Sequence, residues 1–169
     1  MSKKLENLRD LFLEQGRELY DASRQEQEEL PIIQKAVGNQ HLRMLLASLL
    51  NTSLNRSVRL KQVFKKLNIS PDGEKCEYAR SILKDTRNLI ARSLGLKVSD
   101  AAIINSIQRL NNSRIASLGA LASYAKQFGY EDISSSLHET MIEEKKIDEE
   151  LRKLAEREVN KKALTAIVI

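Results

Sequence analysis

Polar side chains interrupt the apolar stripe of a long predicted helix, residues 99–130, near its midpoint. Between residues 99 and 130, apolar residues recur at intervals of three, four and seven, the spacing of one buried helix face. Asn111 and Arg114 stand where two apolar residues are expected, with Asn112 and Ser113 between them. Helical bundles commonly build their sites from inward polar side chains halfway along a helix. This run is therefore the first candidate site of the chain.

The same kind of interruption recurs in three other predicted helices. Their apolar stripes break at Ser23, between Thr52 and Arg56, and between Thr140 and Glu144. In an antiparallel bundle, four such breaks can fall at one level. Carboxylate bundle proteins use inward Glu and His side chains at such a level to hold two metal ions. The spacing therefore predicts a site of this geometry, and the residue types decide which chemistry it supports.

Five helices are predicted to position these residues. They span about residues 2–37, 40–67, 74–94, 99–130 and 131–161, and Pro31 predicts a kink near residues 27–30 of the first. The third helix is shorter and more polar than the others, so it is expected to lie outside the bundle as a crossover. The fold class expected is all-α, a four-helix bundle with one additional crossover helix.

Local signals predict where the helices begin and end. Gly38 suits a left-handed residue that ends the first helix, and Asn39 suits the N-cap of the second. Ser99 is expected to cap the fourth helix, with Asp100 at its positive end, and Gly129 to end it.

Composition limits the class of protein. The 169 residues suit one domain, expected over 1–162, followed by an apolar tail over 163–169 that either frays or packs on a second subunit. The net charge of +5 is spread along every segment, which favours solvated helix faces over a nucleic-acid footprint. The lone Cys76 excludes an intrachain disulfide. Neither a signal peptide nor a membrane span is apparent, so a cytoplasmic location is expected.

The chain resembles the YciE/YciF-type ferritin-like family of bacteria from about residue 8 to residue 163. The matching segments are 19–22 (LYDA), 30–31 (LP), 59–64 (RLKQVF), 100–104 (DAAII), 115–117 (IAS), 127–130 (QFGY), 138–140 (HET) and 143–145 (EEK). The resemblance implies a ferritin-like bundle with a crossover helix, commonly paired into a homodimer, and a stress-associated bacterial setting.

The departures from this family fall at the positions that hold its two metal ions. Relatives typically have Glu at the positions of Ser23 and Thr52, the pattern Glu-His-x-Glu at 111–114, and often Glu at the position of Arg80. The last helix keeps its acids, Glu139 among them. Two metal ions need several anionic ligands, so the site is predicted to be degenerate, with no metal, cofactor or catalytic residue. Its residues are Ser23, Thr52, Arg56, Asn111, Asn112, Arg114, Glu143 and Glu144.

An ion pair across the core is the predicted replacement for the metal. Arg114, or Arg56 on the facing helix, is expected to pair with Glu144 or Glu143, because a guanidinium matches a carboxylate in geometry and charge. Hydrogen bonds from Asn111, Ser23 and Thr52 would complete the site. The alternative is that both arginines extend past the stripe to water and that Glu143 is a surface acid.

The remaining chemical groups give weaker signals. His41 and His138 lack a second ligand at metal spacing, and Cys76 suits a small packing residue. Three functions stay open. The first is a non-enzymatic bundle, acting as a dimer or with a metal-competent relative. The second is a ferroxidase-like or oxygen/peroxide-handling di-metal protein with unusual ligands. The third is a basic module for nucleic acid or another anionic partner. The missing ligands favour the first.

Overall fold

The computed structural model describes residues 4–164, and every regular element in that range is helical. The helices are α1 (Leu8–Lys35), α2 (Gln40–Lys66), α3 (Glu77–Arg92), α4 (Leu96–Gln127) and α5 (Glu131–Leu154), followed by a π-helical turn (Ala155–Val159) and α6 (Asn160–Leu164). The five predicted helices are confirmed, and the last continues through the π turn into α6. α1 runs through Pro31 without ending there.

Four helices form the bundle in the cyclic order α1, α2, α5, α4. α1 packs against α2 and α4, and α5 packs against the same two helices. α3 packs on α1 and α4 only, among the substantial contacts of the described residues, so it lies outside the bundle as the predicted crossover. The all-α ferritin-like bundle with an additional helix is therefore confirmed.

Two of the predicted helix ends are correct. The Asn39 side chain accepts a hydrogen bond from the Leu42 N–H at 3.0 Å and caps α2. Gly129 follows Phe128, the C-cap of α4, and has φ 75°, the left-handed conformation that favours glycine at a helix end.

The predictions for Gly38 and Ser99 are wrong. The C-cap of α1 is Ala36, whose backbone is right-handed, so no left-handed glycine ends this helix. Gly38 is required for a different reason, because a Cβ there would lie 2.8 Å from the Leu96 Cβ. α4 begins one turn before Ser99, at Leu96, because residues 96–98 are already helical and the Ser99 N–H donates to the Gly95 carbonyl. Asp100 therefore lies inside α4.

Asp100 joins α4 to the α1–α2 connection. Its carboxylate accepts hydrogen bonds from the backbone N–H groups of Gly38 and Asn39, at 2.9 and 2.8 Å. Burial raises the pKa of Asp100, although these hydrogen bonds and the charge of Arg43 oppose the shift. The start of α2 is thus fixed against α4.

The core consists of two apolar clusters separated by a polar layer. One cluster includes Leu30, Leu49, Leu110 and Ile147. The other has Leu19, Leu60, Leu118 and Leu137 on the same four helices. The residues between these pairs along each helix are the predicted breaks in the apolar stripes.

The predicted tail lies almost wholly outside the described residues, of which Leu164 is the last. Among residues 4–164, no helix is both long and apolar enough to cross a membrane.

Candidate functional site

Four charged side chains meet in the polar layer, one from each helix of the bundle. Glu26 comes from α1, Arg56 from α2, Arg114 from α4 and Glu144 from α5. Each is at most 1% exposed. Acidic and basic side chains are rarely buried this fully unless they are paired. We call these four residues the central ring.

Every carboxylate oxygen of the central ring accepts a hydrogen bond from a guanidinium. Arg56 donates to Glu26 Oε2 at 2.5 Å and also contacts Glu144 Oε1. Arg114 donates to Glu26 Oε1 at 2.8 Å and to Glu144 Oε2 at 3.1 Å. Each arginine therefore bridges both acids, and each acid bridges both arginines.

The signs of the charges alternate around the bundle. Following the order α1, α2, α5, α4, the ring reads negative, positive, negative, positive, and all four neighbouring pairs form salt bridges. Like charges lie on diagonal helices. The formal charge of the ring is zero, which removes the large cost of burying a net charge.

Small polar side chains accept further hydrogen bonds from the two arginines. Arg56 Nε donates to Ser23 Oγ at 2.8 Å, and its terminal nitrogen lies 3.2 Å from Ser53 Oγ. Arg114 donates to Asn111 Oδ1 at 2.8 Å, and the Asn111 amide donates to the Glu144 backbone carbonyl at 2.9 Å. Ser23, Ser53 and Asn111 precede Glu26, Arg56 and Arg114 by three positions, so one turn of each of these helices contributes a charged and a small polar side chain to the layer.

The charges on the arginines determine the direction of the pKa shift of Glu144. Burial alone would raise the pKa of Glu144, but Arg114 and Arg56 outweigh it, and the pKa is lowered. Burial likewise opposes the charged form of Arg114, yet Glu144 and Glu26 raise its pKa. Both shifts favour the charged forms of Glu144 and Arg114.

A second ion pair lies beside the ring and is partly open to solvent. Arg59 donates to both carboxylate oxygens of Glu143, at 3.0 and 3.2 Å, and to Thr140 Oγ1 at 2.7 Å. The side chains of Arg59 and Glu143 are 27% and 41% exposed. This pair ties α2 to α5 on the outer side of the ring.

The predicted pairing of Arg114 or Arg56 with Glu144 is confirmed, and both arginines take part. The alternative in which they extend to water is wrong. Ser23 and Asn111 support the ring as predicted, whereas Glu143 pairs with Arg59 instead.

Two residues of the predicted set lie away from the ring. The prediction that the Thr52 hydroxyl lies in the core is wrong. Its hydroxyl donates to the Ser48 carbonyl of its own helix, and Ser53 is the residue that faces the bundle interior. Asn112 is exposed and bonds the Gln108 carbonyl. Each lies one position away from a residue that faces the ring, and one position along a helix turns a side chain by about 100° around the axis.

Sequence reasoning did not find Glu26. One sequence signal pointed to it. It lies three residues after Ser23, the same spacing as in Asn111–Arg114. The structure supplies the physical reason: two buried arginines require two acids, and α5 supplies only one fully buried carboxylate, Glu144.

The residues present do not fit a di-metal centre. Two guanidinium groups occupy the middle of the layer and would repel cations, and the carboxylate oxygens of Glu26 and Glu144 are already engaged. Within residues 4–164, no group of three or more His, Cys, Asp or Glu side chains is placed to hold a metal ion.

The histidines and the cysteine lie away from the ring. His41 is exposed, 3.6 Å from the Glu158 carboxylate, and His138 is exposed on α5. Cys76 is buried before α3, where burial raises the pKa of its thiol to about 11. The thiol is therefore protonated at neutral pH, in keeping with a packing role.

Comparison with known proteins agrees with the fold. The family model described as a domain of unknown function, DUF892, matches residues 7–164. Protein YciF of Escherichia coli K12 is 30% identical over 160 residues, covering 94% of this chain and 96% of the relative. The crystal structure of that E. coli stress protein superposes with a TM-score of 0.87 at 29% identity, covering 93% of this chain and 99% of the other.

A second solved structure is similar to the same extent. YcfI of Rhodopseudomonas palustris, for which a structural role has been proposed, gives a TM-score of 0.85 at 30% identity and covers 90% of this chain and 97% of its own. The bundle and its crossover thus define a ferritin-like helical protein. The chain belongs to the DUF892 family, to which it matches over nearly its whole length.

Proposed function

We propose that this chain is a non-enzymatic ferritin-like bundle that has lost the di-metal centre of its fold, with the central ring in its place. The observation that supports this most strongly is the position of Arg56 and Arg114. Both lie fully buried at the level where the family resemblance implies metal ligands, and each bridges the two remaining acids. A pair of divalent ions and a pair of guanidinium groups cannot share that space.

In this proposal the ring fixes how the helices align. Each salt bridge joins neighbouring helices, and sliding one helix by a turn would separate its charge from both partners. The net stabilisation is small because desolvating four ions offsets most of their attraction. The penalty for a misaligned bundle is large, since it leaves buried charges unpaired. The ring therefore supplies alignment without redox chemistry.

We further propose that the protein acts through its surface, as a homodimer and as a partner of a metal-competent relative, in the bacterial cytoplasm. The stress association comes from the E. coli relative, which is described as a stress protein, and the structural role from the R. palustris relative. An interaction role fits a chain whose central polar groups are already satisfied by one another.

Metal analysis of the purified protein tests the loss of the centre. The protein is produced in medium supplemented with iron, manganese and zinc, purified without chelator, and analysed by mass spectrometry for metal per chain. We expect well below one tenth of an ion per chain. Close to two ions per chain would overturn the proposal and favour an oxygen- or peroxide-handling protein with unusual ligands.

The variant R56E/R114E provides the matched control. It replaces both guanidinium groups by carboxylates on the same two helices, so four acids face one another and need cations. We expect it to bind metal when it folds, with a melting temperature that rises on metal addition. If neither protein binds metal, the arginines are not what excludes it.

A further inference from the structure

A cleft with a volume of about 470 Å³ lies between α1 and the crossover helix α3. Each helix contributes residues spaced by three or four positions, so that one face of α1 and one face of α3 form its walls. Of the ten described residues that line it, only Leu83 is apolar. Sites for apolar ligands have mostly apolar walls, so this lining favours a small and strongly polar ligand. We call this feature the α1–α3 cleft.

The lining of the α1–α3 cleft carries an excess of positive charge. Five of its residues are basic and three are acidic, which leaves a formal charge of +2. The basic side chains come from three segments, with Arg24 on α1, Lys75 just before α3, and Arg80, Lys84 and Arg87 on α3. A concave surface concentrates the field of such charges and attracts anions.

Two of the five cations are already paired with two of the acids. The Lys75 ammonium lies 3.1 Å from Asp21 Oδ1, and Arg87 donates to Glu29 Oε1 at 2.8 Å. Asp21 also accepts from the Cys76 backbone N–H at 2.9 Å, so its carboxylate is committed to the segment before α3. These two acids therefore do not neutralise the remaining cations of the cleft.

The other three cations have distant partners or none. Arg24 and Arg80 lie 3.4 and 3.6 Å from the carboxylates of Asp72 and Glu77, and their own side chains are 54% and 62% exposed. Exposed ion pairs of this kind contribute little free energy. Lys84 is exposed on α3 and forms no salt bridge with any residue between 4 and 164. All three side chains are thus available to a ligand.

Glu28, the third acid of the cleft, is exposed and offsets one of these three charges. A phosphate monoester carries about two negative charges at neutral pH and three acceptor oxygens, which matches the excess of charge and the three available cations. We propose that the α1–α3 cleft binds a small phosphorylated molecule with a polar body. Arg24, Arg80 and Lys84 contact the phosphoryl group, and Glu28 accepts hydrogen bonds from hydroxyl groups of the body. This inference goes beyond the proposed function, because neither metal content nor oligomeric state enters it.

Titration of the full chain with glucose 6-phosphate tests the site. In a phosphate-free buffer of low ionic strength, we expect calorimetry to give about one molecule per chain with a Kd below about 1 mM. Glucose, which lacks the phosphoryl group, is expected not to bind. Inorganic phosphate is expected to bind more weakly than the ester, and equal affinities would overturn the contribution of the polar body.

Amide chemical shifts of the wild-type chain locate the site without any substitution. We expect the shifts caused by glucose 6-phosphate to be confined to residues 21–29 of α1 and residues 75–87 on and before α3. Shifts centred on other helices would overturn the proposal, and so would the absence of binding to the wild-type chain.

The variant R24Q/R80Q/K84Q removes the three available cations and leaves the paired Lys75 and Arg87 in place. We expect the affinity for glucose 6-phosphate to fall about tenfold or more, because each lost contact is a charge-assisted hydrogen bond. The melting temperature should stay close to that of wild type, since the removed ion pairs are exposed.

The control K97Q/K145Q/K146Q removes the same number of charges from exposed lysines of α4 and α5. We expect it to bind glucose 6-phosphate as the wild-type chain does. An equal loss of affinity in both triple variants would mean that the overall charge of the chain, and not the cleft, attracts the anion. That result would overturn the proposal, as would an unchanged affinity in R24Q/R80Q/K84Q.

Discussion

The central ring and the surface cluster on the last helices use the same chemistry in opposite surroundings. In the surface cluster, two nitrogens of Arg152 donate to the Glu149 carboxylate, and Arg152 also pairs with Glu156. The Lys153 ammonium lies 3.3 Å from the Glu149 carboxylate. Arg152 and Glu149 are 49% and 45% exposed, whereas the ring is excluded from solvent. Both clusters have good geometry, so contact distances alone do not reveal which one the fold depends on.

The difference lies in what water does when a partner is removed. When its partner is removed, a charge in the surface cluster is solvated by water, so the removal costs little free energy of unfolding. A lone charge in the central ring keeps its burial penalty and loses its compensation. The pKa values show this contrast. Hydrogen bonds from Arg152 lead the lowering of the Glu149 pKa, whereas for Glu144 the largest influence is burial, which the arginines must outweigh.

Breaking the ring at one position should have the largest effect. R114M leaves Glu26 and Glu144 with one guanidinium between them and a net negative charge in the core. We expect the free energy of unfolding to fall by about 3–5 kcal/mol in urea denaturation. A loss below about 1 kcal/mol would mean that water or neighbouring groups compensate the acids, and the ring would not be the buried network described.

Replacing the whole ring should have a smaller effect of the opposite sign. In E26M/R56M/N111L/R114M/E144M, no charge stays behind unpaired, and Asn111 is included because its amide oxygen would lose its donor. We expect the free energy of unfolding to be unchanged or to rise by about 1–4 kcal/mol. If the variant with all five substitutions is less stable than R114M, the intact ring makes a large net contribution to stability, which would contradict this account.

Lowering the pH should reduce the difference in stability between wild type and E144Q. The pKa of Glu144 is lowered in the folded state from its ordinary value of 4.5, so its stabilising contribution is complete above 4.5 and is lost as the pH falls through the lower folded pKa. The destabilisation of E144Q relative to wild type should therefore be constant between pH 6 and 8 and shrink below pH 4.5. Denaturation midpoints across this range measure it, and a penalty that grows in acid would contradict the sign.

The half-exposed pair beside the ring should fall between the two extremes. R59M removes the Arg59–Glu143 contact, but solvent reaches both side chains and screens the loss. We expect the free energy of unfolding to fall by about 0.2–1 kcal/mol. A cost as large as that of R114M would mean that Arg59 belongs to the buried network.

The surface cluster should be the least sensitive. R152M removes every ion pair of Arg152, yet its partners remain in water, so we expect no measurable change in the denaturation midpoint. Raising the salt concentration should likewise leave wild type and R152M indistinguishable. A clear destabilisation would require a packing role for the Arg152 stem.

Helical periodicity was sufficient for the bundle because apolar spacing determines which helix face is buried. The same spacing located the polar layer, since Ser23, Arg56, Asn111 and Glu144 interrupt four separate stripes. It could not distinguish Thr52 from Ser53, which depends on the exact rotation of α2 against α1.

Glu26 was missed for a different reason. Acids are frequent on α1, and a carboxylate is ordinarily solvated, so its spacing from Ser23 alone does not mark Glu26 as buried. Only the arrangement of all four helices brings it between two arginines. The predicted helix-end roles of Ser99 and Gly38 were wrong because tertiary contacts act at these positions. Leu96 packs against Gly38, and the Asp100 carboxylate accepts from the Gly38 N–H.

The most direct test of the account is the stability of the wild-type chain with and without metal. A ligand that binds only the folded state raises the free energy of unfolding, by about 2.7 kcal/mol at one hundred times its dissociation constant. We expect urea denaturation curves in excess chelator and in excess ferrous or manganous ion to coincide. A midpoint that climbs steadily with metal concentration would mean that the polar layer still holds ions, and it would contradict the replacement of metal by arginine.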